Sequence, residues 1–561
     1  MAKVGGTSGC MGGVSAAAAP TASHPVSART AGTTASRIGS SLDDRDPRGG
    51  ASLADVGGAM RVPLEDGRGR GGALGCVMDG ADIVTALRAV LPEDCLLTRE
   101  EERRPYECDG LTAFRRLPQL VALPRTDEQV RQVLITCNRL GVPLVARGSG
   151  TGLSGGATPH EQGVLLSCAR MNRILDIDPL ARVARVEPGV ANLRISDAAA
   201  AHGLYYAPDP SSQVACSIGG NVAENSGGVH CLKYGLTVHN VLAVRGYTIA
   251  GERLELGSRA GDAPGLDLLA LTIGSEGLLM IVTEVTVKLI PRPPCARLVM
   301  ASFADVHGAG DAVAAVIGAG IIPAALEMMD RKATAAVEPF VQAGYDLSAA
   351  AILLVESDGT QEEVAEQVAE IERVLKGCGA TSLRVSGSEA ERLRFWSGRK
   401  NAFPAAGRIS PDYYCMDGTL PRRHVGRVLE AIGEMETRYG LGCMNVFHAG
   451  DGNLHPVILF DANEPGSWER ADRFGAEILE LCVELGGTIT GEHGVGVEKL
   501  NSMCVQFSPA ERAAFAAVKE AFDPAGLLNP GKLIPTLVRC AEYGRMRVHH
   551  GQLGHPELPR F

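Results

Sequence analysis

Apolar and polar positions along this chain follow two different periods. DEQVRQVLITCNRLG (127–141) keeps its apolar residues on one helical face and stops at Gly141, so it predicts an amphipathic helix. VPLVARGSG then reads as a buried strand entering a glycine loop. GVLLS (163–167), RILDI (173–177) and ARVARVEPG (181–189) read as short strands. NLRISDAAAAHGL returns to helical spacing and stops at Gly203, and IVTALRAVL, just after Asp82, predicts the first helix. MIVTEVTVKL predicts one more strand before the character changes near PRPPCARL (291–298). Beyond it the strands ARLVMASF, AALEMM, AILLVES, TSLRV, YYCMDGTLP, CMNVFHAG and HPVILF alternate with helices such as EEVAEQVAEIERVLKGCG and HVGRVLEAIGEMETRYG. Repeated β-α-β units with antiparallel returns predict a ferredoxin-like α+β domain built as two related halves.

A chain of 561 residues exceeds one hydrophobic core. Residues 1–75 are rich in Ala, Gly, Ser, Thr and Arg without an apolar period, and are expected to be a disordered extension; an organelle transit peptide, hence a mitochondrial location, is the alternative. The longest apolar run, AVAAVIGAGII (312–322), is too short to span a bilayer, so membrane contact is expected only peripherally or through a partner. A net charge of −11 argues against nucleic acid as a main partner. Fifteen cysteines without a C-x-x-C pair read as reduced thiols in a cytoplasmic protein, and they lack the spacing of an iron–sulfur cluster.

Two groups of residues carry candidate chemistry. ARGSGTGLSGG (146–156) contains Gly150-x-Gly152-x-x-Gly155, but a strand rather than a helix follows it, which excludes a dinucleotide fold of the doubly wound type. What remains is an anion-cradling turn or a flexible surface loop. APDPSSQVACSIGGNVAENSGG (207–228) is poor in bulky residues, as chain lying against something other than its own side chains is, and GSEGLL (274–279) adds a third glycine pair. The second group is FHAGDGNLHP, in which His448 and His455 flank a strong turn. If its arms run antiparallel, the two imidazoles converge, and Glu492 in TGEHGVG completes a His₂Glu set of the kind that binds catalytic zinc. Two packed histidines without a ligand are the plainer alternative at this level.

The three glycine-rich segments resemble the FAD-binding domain of the vanillyl-alcohol oxidase / p-cresol methylhydroxylase flavoprotein family. Within it, residues 82–561 are most similar to the D subunits of bacterial glycolate oxidases, through PYECDG (105–110), FWSGRKNAFPA (395–405), ISPDYYCMDG (409–418), HAGDGN and FDPAGLLNPGK (522–532). The resemblance implies an α+β chain with a two-subdomain FAD-binding domain of p-cresol methylhydroxylase type over 76–293. A ferredoxin-like α+β cap (substrate) domain follows over 294–520, and a segment returning to the FAD site over 521–561.

It further implies that FAD contacts Arg147, Gly148, Ser149, Gly150, Thr151, Gly152, Ser154 and Gly155 in the first loop. Pro208, Asp209, Ser217, Gly219, Gly220, Asn221, Asn225, Gly228 and Gly235 come from the second, Glu276, Gly277 and Val282 from the third, and Asn529 from the C-terminus. Covalent members carry a histidine in the first loop; Gly150 and Thr151 stand there instead, so FAD is expected to be non-covalent. Met280 stands where relatives often have glycine, which bears on the local backbone path.

By the same resemblance His448, His455 and Glu492 hold a divalent metal, expected to be zinc, His493 is the general base, and Arg399 binds a substrate carboxylate. Relatives acting on diacids carry a lysine where Cys415 stands, which favours a small monoacid. The implied activity is FAD-dependent oxidation of a D-2-hydroxyacid to the 2-oxoacid, glycolate to glyoxylate first and D-lactate second. Electrons would pass to an iron–sulfur subunit of a complex that also holds a companion flavin-binding subunit. A non-catalytic flavin-binding subunit is the alternative of another class, and a metallohydrolase without flavin a third.

Overall fold

The computed structural model describes residues 80–260 and 265–535, with two short backbone pairs at 548–549 and 552–553. The extension expected over 1–75 lies outside the described residues. Among those described, no helix is long and apolar enough to cross a membrane.

The first sheet is small, in the order Leu96–Leu97, Leu120–Ala122, Val164–Ser167, Leu144–Arg147, with the last three parallel. Helix Asp127–Leu140 covers it. Thr126 caps the helix by accepting the Gln129 N–H, and Gly141, at φ 64°, ends it in a left-handed conformation that costs glycine little. Its Val130, Val133, Leu134 and Cys137 are buried against Leu120, Leu144 and Leu166. The C-terminal segment joins the same sheet: Leu144 N–H donates to Leu527 O at 2.8 Å and Asn529 N–H to Leu144 O at 2.7 Å. A second, wholly antiparallel sheet runs Ile174–Asp178, Val183–Val186, Ile281–Lys288, Val241–Tyr247, Arg253–Gly257.

The third sheet has seven antiparallel strands in the order Ser382–Val385, Cys295–Phe303, Ala351–Gly359, Ala325–Asp330, Gly442–Phe447, Pro456–Phe460, Asp412–Cys415. Four helices, Val306–Gly318, Gln361–Gly377, Val425–Tyr439 and Ser467–Glu484, share one apolar core with it, including Phe303, Ile371, Phe447 and Phe474. The opposite core gathers Phe395, Trp396, Met444 and Ala333 under helices Arg331–Val341 and Glu389–Lys400. The two halves of the sheet meet over only two paired positions, Met328 with Phe447 and Met329 with Val446. That narrow seam matters for the site.

The second glycine-rich segment, to which the sequence assigned no regular element, contains a helix. Ile218–Glu224 is a helix, with Ser217 capping it through the Gly220 N–H and Asn225 closing it at φ 56°. Two glycines at its start lower helix propensity, and the burial of Ile218, Asn221 and Val222 overrides that weak preference.

Candidate active site

At the seam between the half-sheets the register decides the chemistry. Met328 faces Phe447, and one step further along, Glu327 and His448 meet: His448 Nδ1 lies 2.8 Å from Glu327 Oε1, across 121 residues of sequence. The other Glu327 oxygen accepts the Arg399 Nε–H at 2.6 Å. All three side chains are buried. A carboxylate on Nδ1 fixes the tautomer and turns His448 Nε2 towards the remaining donors. Burial would raise Glu327, but His448 and Arg399 more than offset it and keep the group ionised.

The turn after His448 brings its partner back. His448 N–H donates to Asn453 O at 3.0 Å, Asp451 accepts the Asn453 N–H, and Gly452 at φ 82° packs where a Cβ would overlap Leu420 O. The arms are therefore antiparallel, and the His448 and His455 rings stand 5.1 Å apart at 86°. Glu492 Oε1 lies 3.0 Å from His455 Nε2 and 3.4 Å from His448 Nε2. The donor atoms of this trio all fall within 4.8 Å of one another. Desolvation would raise Glu492, yet the two imidazoles pull it well below the usual carboxylate range. Desolvation would lower His448, but Glu327 and Glu492 hold it well above its ordinary value. A shared proton between Nε2 and carboxylate is what a divalent cation displaces on binding, so the donor set fits such an ion.

The loop carrying Glu492 and His493 is clamped by one buried carboxylate. Asp417 accepts N–H groups from Gly491 (3.0 Å), Glu492 (3.2 Å) and His493 (2.9 Å), the Thr490 hydroxyl (2.5 Å), Asn453 Nδ2 (2.7 Å) and Lys499 Nζ (3.3 Å). His493 lies nearly parallel to His455, with centroids 5.0 Å apart. Burial is the main influence on it and pushes its imidazole down to about 4, leaving it neutral at pH 7.

This cluster opens into one cavity of about 420 Å³, lined by both halves of the chain. Arg147, Gly148, Ser149, Gly150, Thr151 and Gly152 line it from the first loop, Ser217, Gly219, Gly220 and Asn221 from the capped helix, and Glu276, Gly277 and Val282 from the third segment. His455, Glu492 and His493 close its far end. Gly148 is required for close approach, since a Cβ there would overlap Ser217 Oγ, and Gly150 at φ 72° lies under the Arg147 guanidinium. The Asn221 amide nitrogen is buried without a hydrogen-bond partner among the described residues, as expected of a group aimed at a bound molecule. Met280 also lines the cavity.

The other sequence candidates frame the cavity rather than line it. Ser154 O accepts the Val497 and Glu498 N–H groups, tying the first loop to the His493 loop beside Gly155. Pro208 O accepts from Asn192, and Asp209 bonds His230. Asn225 accepts the Val238 N–H; Gly228 and Gly235, both at positive φ, pack on Asp209 and His239. Asn529 donates to Gly156 O and Glu276 O. Arg399 lies behind His448, buried, with Nη2 unpartnered among the described residues.

Sequence reading missed Glu327, Asp417, Lys499 and Glu224. An acid inside the apolar run AALEMM was the one available signal for Glu327. Glu224 lines the cavity with its carboxyl wedged between Gly156 and Gly494, and burial raises it well above its usual range.

Comparison with known proteins agrees with this architecture. Residues 118–257 match the model of an FAD binding domain, and residues 292–533 that of the C-terminal domain of FAD linked oxidases. Glycolate oxidase subunit GlcD of Escherichia coli (strain K12) is 61% identical over 484 residues, covering 86% of this chain and 97% of that protein. This chain belongs to the FAD-linked oxidase family. A D-lactate dehydrogenase of Archaeoglobus fulgidus is 31% identical to the oxidase over 74% of this chain and 92% of its own. The solved structure of p-cresol methylhydroxylase with substrate bound aligns at a TM-score of 0.68 and 20% identity, over 81% of this chain and 96% of that one, and so shares the fold. The oxidase is thus an FAD-linked oxidoreductase, with the two-part FAD-binding domain and α+β cap expected from its sequence.

Proposed function

We propose that this oxidase converts a small D-2-hydroxyacid to the 2-oxoacid, with glycolate as the preferred substrate and glyoxylate as product. One observation carries the reading: a single cavity joins the FAD-binding glycine loops to His455, Glu492 and His493. When bound, non-covalent FAD supplies the acceptor for the hydride leaving Cα, and a divalent ion supplies acidification of the substrate hydroxyl. His448, His455 and Glu492 are the residues that would hold that ion, and their nitrogen and oxygen donors suit zinc.

His493, neutral at pH 7, takes the hydroxyl proton as the C–H bond breaks. Arg399, with Nε held by Glu327 and Nη2 unpartnered, has half of its fork left for the substrate carboxylate. Cys415 supplies no cation, which supports a monoacid, although Lys400 lines the cavity. The segments 76–293 and 294–520 act as FAD domain and cap of a cytoplasmic catalytic subunit, and 521–535 return to the FAD domain; of the tail expected to run to 561, only two short backbone pairs beyond 535 belong to the described residues. Its electrons pass to an iron–sulfur subunit of a complex that also holds a companion flavin-binding subunit; the name of the Escherichia coli relative, a glycolate oxidase subunit, supports a multi-subunit assembly.

D-lactate is the second reading, favoured by the Archaeoglobus relative. Anaerobic mixing of the purified yellow protein with glycolate or D-lactate decides between them by the rate of flavin bleaching. Chelation beforehand should slow bleaching. A colourless protein, or bleaching that His493→Ala leaves unchanged, would overturn the proposal.

A further inference from the structure

A second convergent donor set stands beside the first. The ligand atoms of Cys415, His455 and His493 also lie within 4.8 Å of one another. Strand register assembles them. Cys415 ends an edge strand opposite Val457, and Met416 N–H donates to Pro456 O at 3.0 Å, which sets the thiol next to His455, the residue before that proline. His493 arrives on the loop clamped by Asp417, two residues beyond Cys415. The histidine rings give an independent sign of a ligand: Nδ1 of His455 and Nδ1 of His493 are both buried, and neither meets a hydrogen-bond partner among the described residues. Buried imidazole nitrogens are ordinarily satisfied, because an unmade hydrogen bond costs the full desolvation of the group.

The two sets differ in softness. Two imidazoles and a carboxylate suit a borderline ion, whereas a thiolate with two imidazoles selects a thiophilic one. His455 belongs to both, with Nε2 facing Glu492 and Nδ1 turned away from it.

We propose that Cys415, His455 and His493 form a second subsite for a thiophilic divalent cation, such as cadmium or excess zinc, and that filling it stops turnover. Binding releases the Cys415 S–H proton to solvent and uses the lone pair of neutral His493; where His455 Nε2 already holds the first ion, the His455 Nδ1–H proton is released as well, leaving a bridging imidazolate, and nothing is oxidised or reduced. The arrest of turnover rests on His493 being the base, as proposed above, whereas the binding does not.

The test titrates flavin-loaded full-length protein with cadmium and follows two signals, ultraviolet thiolate-to-cadmium absorption and the rate of flavin reduction relative to the cadmium-free rate of the same protein. The wild type should gain one equivalent of absorption that Cys415→Ser and Cys415→Ala both lack. Changes outside the ligand shell already cost metal sites about 10–100-fold in affinity, so loss of the thiolate should raise the half-inhibitory concentration by at least about ten-fold. Identical absorption or identical inhibition in wild type and both variants would overturn the subsite. Absorption that depends on Cys415 without loss of turnover would uphold the binding and refute His493 as base.

Discussion

Asp417→Asn tests the clamp on the 490–493 loop. The native carboxylate is fully buried and takes six donors: three backbone N–H groups of 491–493, the Thr490 hydroxyl, the Asn453 amide and the Lys499 ammonium. An asparagine must turn its NH₂ towards one side of this ring of donors, whichever way it is flipped. If its oxygen keeps the Gly491, His493 and Thr490 bonds, the NH₂ faces Asn453 Nδ2, and a buried donor is stranded at about 1–3 kcal/mol. Removing the charge also takes one counterion from the buried Lys499, and breaking a buried pair costs about 3–5 kcal/mol. The sum, about 4–8 kcal/mol, compares with a total stability of about 5–15 kcal/mol for a folded domain. Unfolding entropy scaled to a chain of this size converts it into a fall in Tm of about 4–8 °C. Burial would raise Asp417, but Lys499, His493 and His455 hold it far below the usual range, so the native group stays charged at all working pH values. None of its partners belongs to the glycine loops, so Asp417→Asn should purify yellow, with metal per flavin lowered at least about ten-fold and turnover lost. Elemental analysis, thermal melting and flavin reduction read the three quantities separately. Native metal content and Tm in this variant would refute the clamp.

Glu327→Gln removes the charge that orients His448 and Arg399; metal affinity should fall about 10–100-fold while flavin content stays constant, measured by chelator competition. Gly494→Ala puts a Cβ at φ 83° onto Glu224 Oε2, so the neighbouring His493 should shift and turnover drop, whereas full activity would show the packing to be looser. His230 sits between Asp209 and Glu356; burial lowers it, but these carboxylates outweigh that and raise it to about 10. A raised histidine contributes stability fully below its unfolded value of about 6.5 and loses it as pH rises through its folded value. Urea unfolding should therefore find wild type more stable than His230→Gln by about 3 kcal/mol at pH 6, with the gap closing towards pH 10. A gap independent of pH would mean that His230 is held by packing alone.

Much of the fold was readable locally. Helix 127–140 and its Gly141 stop, the strands around the glycine loops and the β-α-β alternation beyond 294 all follow from periods of 2 and 3.6 and from stop residues. Turn chemistry at GDGN allowed antiparallel arms, and the structure supplies them, with the His448 and His455 rings 5.1 Å apart. Helix Ile218–Glu224 was not readable, because its glycines argue against it and its burial argues for it. Among the cofactor candidates, those that line the cavity and those that frame it look alike in sequence. Gly152 lines it and Gly155 does not, and only the path of the backbone separates them.

The sequence by itself therefore determined the elements, the need for glycine where chain must approach closely, and the donor types offered to a cation, because these depend on residues a few positions apart. The tertiary structure alone decided which charges hold those donors. Glu327 reaches His448 across 121 residues, Asp417 gathers the 490–493 loop from more than 70 residues away, and Glu276 accepts the Val495 N–H across 219. Each is a buried carboxylate whose partners are set by strand register and domain closure, and neither of those is written in local periodicity.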